Sequence, residues 1–195
     1  MSRNILLTGI GGQGTILASK LLSLGLQSAG YDVKMSEIHG MSQREGSVLT
    51  HVRYGKQVFS PVVEKGQADL IIGFEELEVL RNLDYLKRDG QGIVVLNRNQ
   101  VNPVGVLSGK DSYPANIMDL VSARAGRHIA YDATSEARAL GNARVMNIIL
   151  LGSIVDLMGL SDIDWEGIIR DTVAPRFVDI NLKALARGRE LAQAA

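Results

Sequence analysis

Three short segments gather the residue types that chemistry needs. The first, Gly9-Ile10-Gly11-Gly12-Gln13-Gly14, follows directly on the apolar run Ile5-Leu6-Leu7. Its glycines at 9, 11 and 14 have the G-x-G-x-x-G spacing, in which the turn uses backbone freedom, a phosphate comes close to the peptide, and the next helix packs on the strand. Backbone N–H groups at such a helix start favour an anion, so Gly9, Gly11, Gly12, Gln13 and Gly14 are candidate anion-binding residues. The same spacing also serves merely to make a strand-to-helix turn, and alone it leaves both roles open.

The second segment holds Glu37, His39, Ser42, Gln43 and Arg44. Glu37 follows Gly14 at roughly the distance, about 20 residues, at which a dinucleotide fold places its ribose-binding acid. The other account of Glu37 is a strand-end carboxylate bonded to neighbouring turn amides. His39, Ser42, Gln43 and Arg44 crowd donors into a glycine-bounded loop suited to gripping a phosphate or carboxylate, or to docking on a partner. Arg44 leads this group, its alternative being a solvated loop arginine. With no nucleophile pattern nearby, His39 reads as a hydrogen-bonded loop histidine rather than a base. In the third segment, Asn142, Arg144 and Asn147 open an apolar helix. Asn142 suits the cap, while Arg144 and Asn147, about one turn apart, share a side that reaches either a crevice or a subunit surface. No residue is assigned a catalytic role.

These segments need elements to hold them. A helix from Gln13 to Ala29 places Leu17, Leu21 and Leu24 inward and ends at Gly30. Tyr31 to Ile38 reads as a strand, and Val48–Arg53 with Gln57–Val63 reads as a hairpin around Tyr54-Gly55-Lys56, with His51 and Arg53 on its polar face. Asp69–Gly73 and Gly92–Asn97 are buried parallel strands flanking a helix over Glu75–Leu86. Asn97–Tyr113 is a surface loop with room for a short strand at Val104–Leu107. Pro114 suits the first turn of a helix reaching about Ala125. A last strand follows at His128–Tyr131, and the chain is largely helical from Thr134 on, with Val145–Val155 buried. The expected fold is a single doubly wound α/β domain over residues 1–195, with a mostly parallel sheet, a β-hairpin insertion and a helical C-terminal third. The ligand crevice of such a sheet lies at the carboxyl ends of its strands, where the glycine turn, the Glu37–Ser47 loop, Gly73–Glu75 and the chain from Asn97 should meet.

Composition narrows the function. With 21 basic and 21 acidic residues dispersed along 195, the formal charge is zero, which gives no footprint for nucleic acid or an anionic membrane. The most apolar stretch, 145–155, is too short to span a bilayer. Strand sequence starts almost at Met1, leaving no room for a signal peptide, so a cytoplasmic location is expected. There is no cysteine, and iron–sulfur clusters are held mainly by cysteine thiolates. Three histidines without metal-ligand spacing give no metal site.

Three motifs together resemble one family, the gamma subunits of the 2-oxoacid:ferredoxin oxidoreductases, and its indolepyruvate-type members most of all. The glycine run is one. The second, Glu37-Ile38-His39-Gly40-Met41-Ser42-Gln43-Arg44-Glu45-Gly46-Ser47, is similar to the family's Glu-x-His-Gly-Met-Ser-Gln-Arg-Gly-Gly-Ser, with Glu45 where a glycine is common. The third, Gly141-Asn142-Ala143-Arg144-Val145-Met146-Asn147, resembles Gly-Asn-Pro-Arg-x-x-Asn, with alanine for proline. The resemblance implies a small subunit of an enzyme that oxidatively decarboxylates a 2-oxoacid, passes electrons to ferredoxin and conjugates the acyl group to coenzyme A. Thiamine diphosphate, Mg2+ and the Fe–S clusters are then expected on a large partner subunit, since this chain also lacks a Gly-Asp-Gly motif with paired asparagines. Coenzyme A is expected as co-substrate, and this chain as inactive alone. An independent NAD(P)-binding oxidoreductase and a non-catalytic interaction subunit remain alternatives.

Overall fold

The computed structural model describes residues 2–40 and 46–194. Its centre is β1, Arg3–Ile10. Successive side chains of a strand point to opposite faces, so Ile5 and Leu7 enter one core while Leu6 enters a second on the other face, and all three are fully buried. Both faces are therefore covered. With β2 (Asp32–His39), β3 (Ser47–Gly55), β4 (Leu70–Gly73), β5 (Ile93–Asn97) and β6 (Arg127–Tyr131), the sheet runs β2-β3-β1-β4-β5-β6. The pairings from β1 through β4 and β5 to β6 are parallel; those of β3 with β1 and with β2 are antiparallel. The first core lies under α1 (Thr15–Ser28) and the C-terminal helices, the second under α2 (Glu76–Asn82) and α4 (Ile117–Arg124). This is the expected doubly wound arrangement, with a mixed sheet.

The hairpin forms with different strands from those expected. β3 pairs back on β2 with Glu37 opposite Thr50, and 57–63 form no strand. The reason is visible in β3 itself. Arg53, expected on a polar face, donates from Nε to Asn4 and from Nη1 to the carbonyls of Ser60 and Val62, while His51 Nδ1 accepts from the Val63 N–H at 3.1 Å. The segment that would have supplied a partner strand instead lies across these side chains, and His51 is buried.

Smaller differences have similar causes. In α1, Leu21 is buried and Leu17 partly so, but Leu24 is 36% exposed and Ser19 points inward. Ser19 tolerates burial because its hydroxyl donates to the Ile16 carbonyl at 3.0 Å. Val104–Leu107 is a short helix, α3, rather than a strand. Pro114 precedes the helix it was expected to open, since α4 starts at Ile117.

The C-terminal third is helical as expected: α5 (Ala133–Ala139), a 3-10 turn at Ala143–Val145, α6 (Met146–Leu157), α7 (Trp165–Thr172), a 3-10 turn at Pro175–Phe177 and α8 (Val178–Gln193). Every residue of α6 from Met146 to Val155 is buried, and each buried Ile or Leu there contributes about 1.5–3 kcal/mol relative to exposure. Among the described residues, no helix is long and apolar enough to cross a membrane.

His51 gives the fold a pH dependence. Because Nδ1 accepts a hydrogen bond, the ring proton sits on Nε2, which has no partner among the described residues. Burial holds the imidazole's pKa below its ordinary value. Between its folded pKa and the unfolded value of about 6.5, the unfolded chain binds more protons, so stability is lost as pH is lowered through that window. The melting temperature should therefore drop as pH is lowered from 8 to 5, and less so in His51→Gln. An equal drop in both proteins would assign the effect to other groups.

Candidate functional site

The carboxyl ends of the strands do converge. The Gly11 N–H donates to the Gly46 carbonyl at 2.8 Å, the Gln13 amide reaches the Phe74 carbonyl, and Asn97 Nδ2 donates to the same carbonyl at 3.1 Å. Between the glycine turn and β2 lies a cleft of about 350 Å³, lined by Gly11, Gly12, Gly14, Thr15, Ile16, Glu37, His39 and Val48. Gly12 and Gly14 have φ of +94° and +83°, a region that favours glycine. A Cβ on Gly12 would meet nothing within 4 Å, so the backbone there is open to a ligand. Gly14 caps α1 with no side-chain hydrogen bond, which leaves first-turn N–H groups for an anion.

Not all candidates face that cleft. Gln13 holds the turn together: its Oε1 accepts from the Ile10 N–H at 2.8 Å while Nε2 reaches Phe74. Gly9 packs against Phe74, where a Cβ would come within 2.7 Å of the Phe74 Cβ. His39 is exposed at the cleft edge, with Nδ1 3.3 Å from the Gly40 carbonyl. Ser42, Gln43 and Arg44 lie outside the described residues.

Glu37 lines the cleft, and among the described residues it bonds no turn amide. Its Oε1 is buried without a hydrogen-bond partner among the described residues, and so is Thr50 Oγ1, directly across the strand pair. A carboxylate repels a phosphate and accepts from hydroxyl or N–H groups, so this cleft pairs an anion cradle with an acceptor for donors. The dinucleotide arrangement is nevertheless altered. In that fold β2 lies beside β1; here β3 separates them, moving Glu37 one strand spacing of about 4.8 Å further from the turn.

Sequence reasoning missed three buried acids beside these loops. Glu75 accepts from the Glu78 N–H, the Val101 N–H and the Tyr113 hydroxyl at 2.9, 3.1 and 2.6 Å. Glu76 binds Arg98 and Gln100, and Glu78 binds Arg81 and the Ser47 hydroxyl. Burial and then the Glu75 hydrogen bond push the Tyr113 phenol well above its ordinary pKa, so it remains a donor. These acids tie the 98–113 loop and the start of β3 to α2. Their signal was Phe74-Glu75-Glu76-Leu77-Glu78, carboxylates following at once on a buried strand.

Asn142 caps as expected, accepting the Arg144 N–H at 3.0 Å. Asn147 is 3% exposed and donates from Nδ2 to the Gly14 carbonyl at 3.1 Å. Together with Arg144 these residues line a second cleft, of about 390 Å³. Among the described residues, no group of three or more His, Asp or Glu could hold a metal ion.

The family model described as pyruvate ferredoxin/flavodoxin oxidoreductase matches residues 4–191. This chain belongs to that family. Two relatives within it are the indolepyruvate oxidoreductase subunits IorB of Pyrococcus horikoshii and Thermococcus kodakarensis, 40% and 38% identical to this chain. Each comparison covers 97% of this chain and 96% of the relative. The fold is also that of the gamma subunit of a keto/oxoacid ferredoxin oxidoreductase from Geobacter sulfurreducens, with a TM-score of 0.72 at 23% identity over 99% of both chains. Pyruvate oxidoreductase subunit PORC from Thermotoga maritima has a TM-score of 0.71 at 22% identity, over 97% of this chain and 96% of that one.

Gly14 and Asn147 form one steric unit, because a Cβ at Gly14 would lie 2.6 Å from Asn147 Nδ2. Gly14→Ala should cost about 2 kcal/mol from left-handed backbone and overpacking together. Combined with Asn147→Ala, the total should be smaller than the sum of the single effects, since the clash disappears while the backbone cost stays. Additive losses in urea denaturation would show that the pair is not coupled.

Proposed function

We propose that this chain is the small, gamma-type subunit of a 2-oxoacid:ferredoxin oxidoreductase that takes indolepyruvate or another aryl pyruvate. The assembled enzyme decarboxylates the 2-oxoacid, transfers the acyl group to coenzyme A and passes the released electrons to ferredoxin. The observation carrying this reading is the full-length similarity to two subunits named for indolepyruvate oxidoreductase, at 40% and 38% identity.

The residues of this chain do not suit the redox cofactors. It has no cysteine for a cluster. Thiamine diphosphate, Mg2+ and the clusters are therefore assigned to a large partner subunit, and this chain is inactive alone. It acts as a single domain, in the cytoplasm, and neither nucleic acid nor a membrane is a partner. Its contribution is the glycine-turn cleft, which fits a phosphate-bearing co-substrate such as coenzyme A. The α1 N-terminus and the open backbone at Gly12 suit the phosphates, and Glu37 suits a hydroxyl or N–H of the same molecule. Ser42, Gln43 and Arg44 belong to the same site in this reading, with Arg44 supplying a cation to the phosphates. The separation of β1 from β2 by β3 speaks against an independent NAD(P)-dependent enzyme.

Co-expression with a thiamine- and cluster-bearing subunit from the same genome tests the assignment. Ferredoxin reduction under anaerobic conditions should require both chains, an aryl pyruvate and coenzyme A. No copurification and no activity would reject it. Within the complex, Gly12→Val should raise the KM for coenzyme A about tenfold or more by filling the cleft, leave the KM for the 2-oxoacid unchanged and still copurify. An unaltered KM for coenzyme A would remove the glycine turn from the site.

A further inference from the structure

The second cleft has a chemistry different from the first. It lies where the start of α6 meets the α7–α8 corner, with Leu17 of α1 contributing to its wall. Leu17, Val173 and Phe177 supply apolar surface, and the Phe177 ring is steadied by Arg176, whose guanidinium carbon sits 4.8 Å over its centroid. The lining holds one charged side chain, Arg144, and no carboxylate. Arg144 makes no ion pair among the described residues, while its backbone is fixed by the Asn142 cap.

Two nearly buried amides complete the lining. Asn147 and Asn181 are 3% and 6% exposed. Each uses Nδ2 on a backbone carbonyl, Gly14 at 3.1 Å and Phe177 at 2.7 Å, which orients the amide and leaves Oδ1 without a partner among the described residues. An apolar-walled cleft of this size with a few converging polar groups is the ordinary form of a small-molecule site. Here those groups are one cation and two acceptors.

We propose that this cleft binds a small aromatic carboxylate bearing a ring N–H, an acid of the indole class. The carboxylate pairs with Arg144, the ring lies against Leu17, Val173 and Phe177, and the ring N–H donates to an asparagine Oδ1. The site is separate from the glycine-turn cleft, and its failure would leave the coenzyme A assignment untouched. Such a ligand could be the 2-oxoacid itself or a derived acid acting as a regulator.

Titration of the 15N-labelled full chain with indole-3-acetate tests this directly, because the side-chain NH2 signals of Asn142, Asn147 and Asn181 report from the cleft. Saturable shifts of these signals are expected. Acetate, indole and naphthalene-1-acetate, lacking ring, charge and N–H in turn, should each bind at least fivefold more weakly. Arg144→Gln should weaken indole-3-acetate about tenfold with an unchanged melting temperature, as Arg144 is exposed. A parallel titration with fresh indole-3-pyruvate identifies the source: tighter binding marks the substrate, equal or weaker binding a regulator. Absence of saturable shifts at millimolar ligand, shifts mapping elsewhere, or equal binding of the three controls would overturn the proposal.

Discussion

The arrangement of this molecule depends on how closely two helices approach. At the crossing of α6 and α8, a Cβ on Gly152 would lie 2.2 Å from the Leu185 carbonyl oxygen, and one on Gly188 would lie 1.9 Å from that of Ile149. Backbone therefore meets backbone, and no side chain fits between. Ser153, fully buried beside this contact, donates to the Gly188 carbonyl at 2.9 Å and tightens it. With α8 seated so closely, α6 is covered on all sides and its apolar residues belong to the same core as β1 and α1. That places the first turn of α6, and Asn147 with it, against the glycine turn.

Two kinds of polar support then shape the ligand end of the sheet. On one side the buried acids Glu75, Glu76 and Glu78 gather backbone donors, a phenol and two arginines around α2. A buried charge is tolerated when its lone pairs are met by hydrogen bonds, and these are. On the other side, Glu37, which lines the first cleft, and Thr50 across the strand pair from it each keep an oxygen without a partner among the described residues. Among the described residues, the carboxylates that hold loops have their oxygens met, while the one that lines the first cleft keeps one oxygen unmet.

Much of this was readable from residue order, and what was missed has a common cause. The strand–turn–helix at the start, the buried strands at 70–73 and 93–97 and the buried helix after Val145 announce themselves by local apolar pattern and glycine position. The hairpin partner did not, because Gln57–Val63 has strand-like composition but is captured by His51 and Arg53, side chains that composition alone placed on a solvent face. Leu24, expected inward, is exposed while Ser19 is buried, because the inward face of α1 is set by which strands it crosses. Among site residues, Gly11, Gly12, Gly14 and Glu37 line one cleft, while Gly9 packs on Phe74 and Asn147 lines the other cleft and bonds the Gly14 carbonyl. Gln13 turned out to brace the turn, a role decided by Phe74, some 61 residues away.

The bond from Asn147 to the Gly14 carbonyl joins residues 133 positions apart. A ribosome extends the chain by about 5–20 residues per second, so roughly 7–27 s separate the synthesis of these two ends. During that interval the nascent chain already carries its glycine turn and a sheet face destined for burial, but not the helix that fastens the one and covers the other. The first motif to be made is thus among the last to be completed, and until α6 emerges the growing chain exposes apolar strands that a cell must keep from pairing with their neighbours.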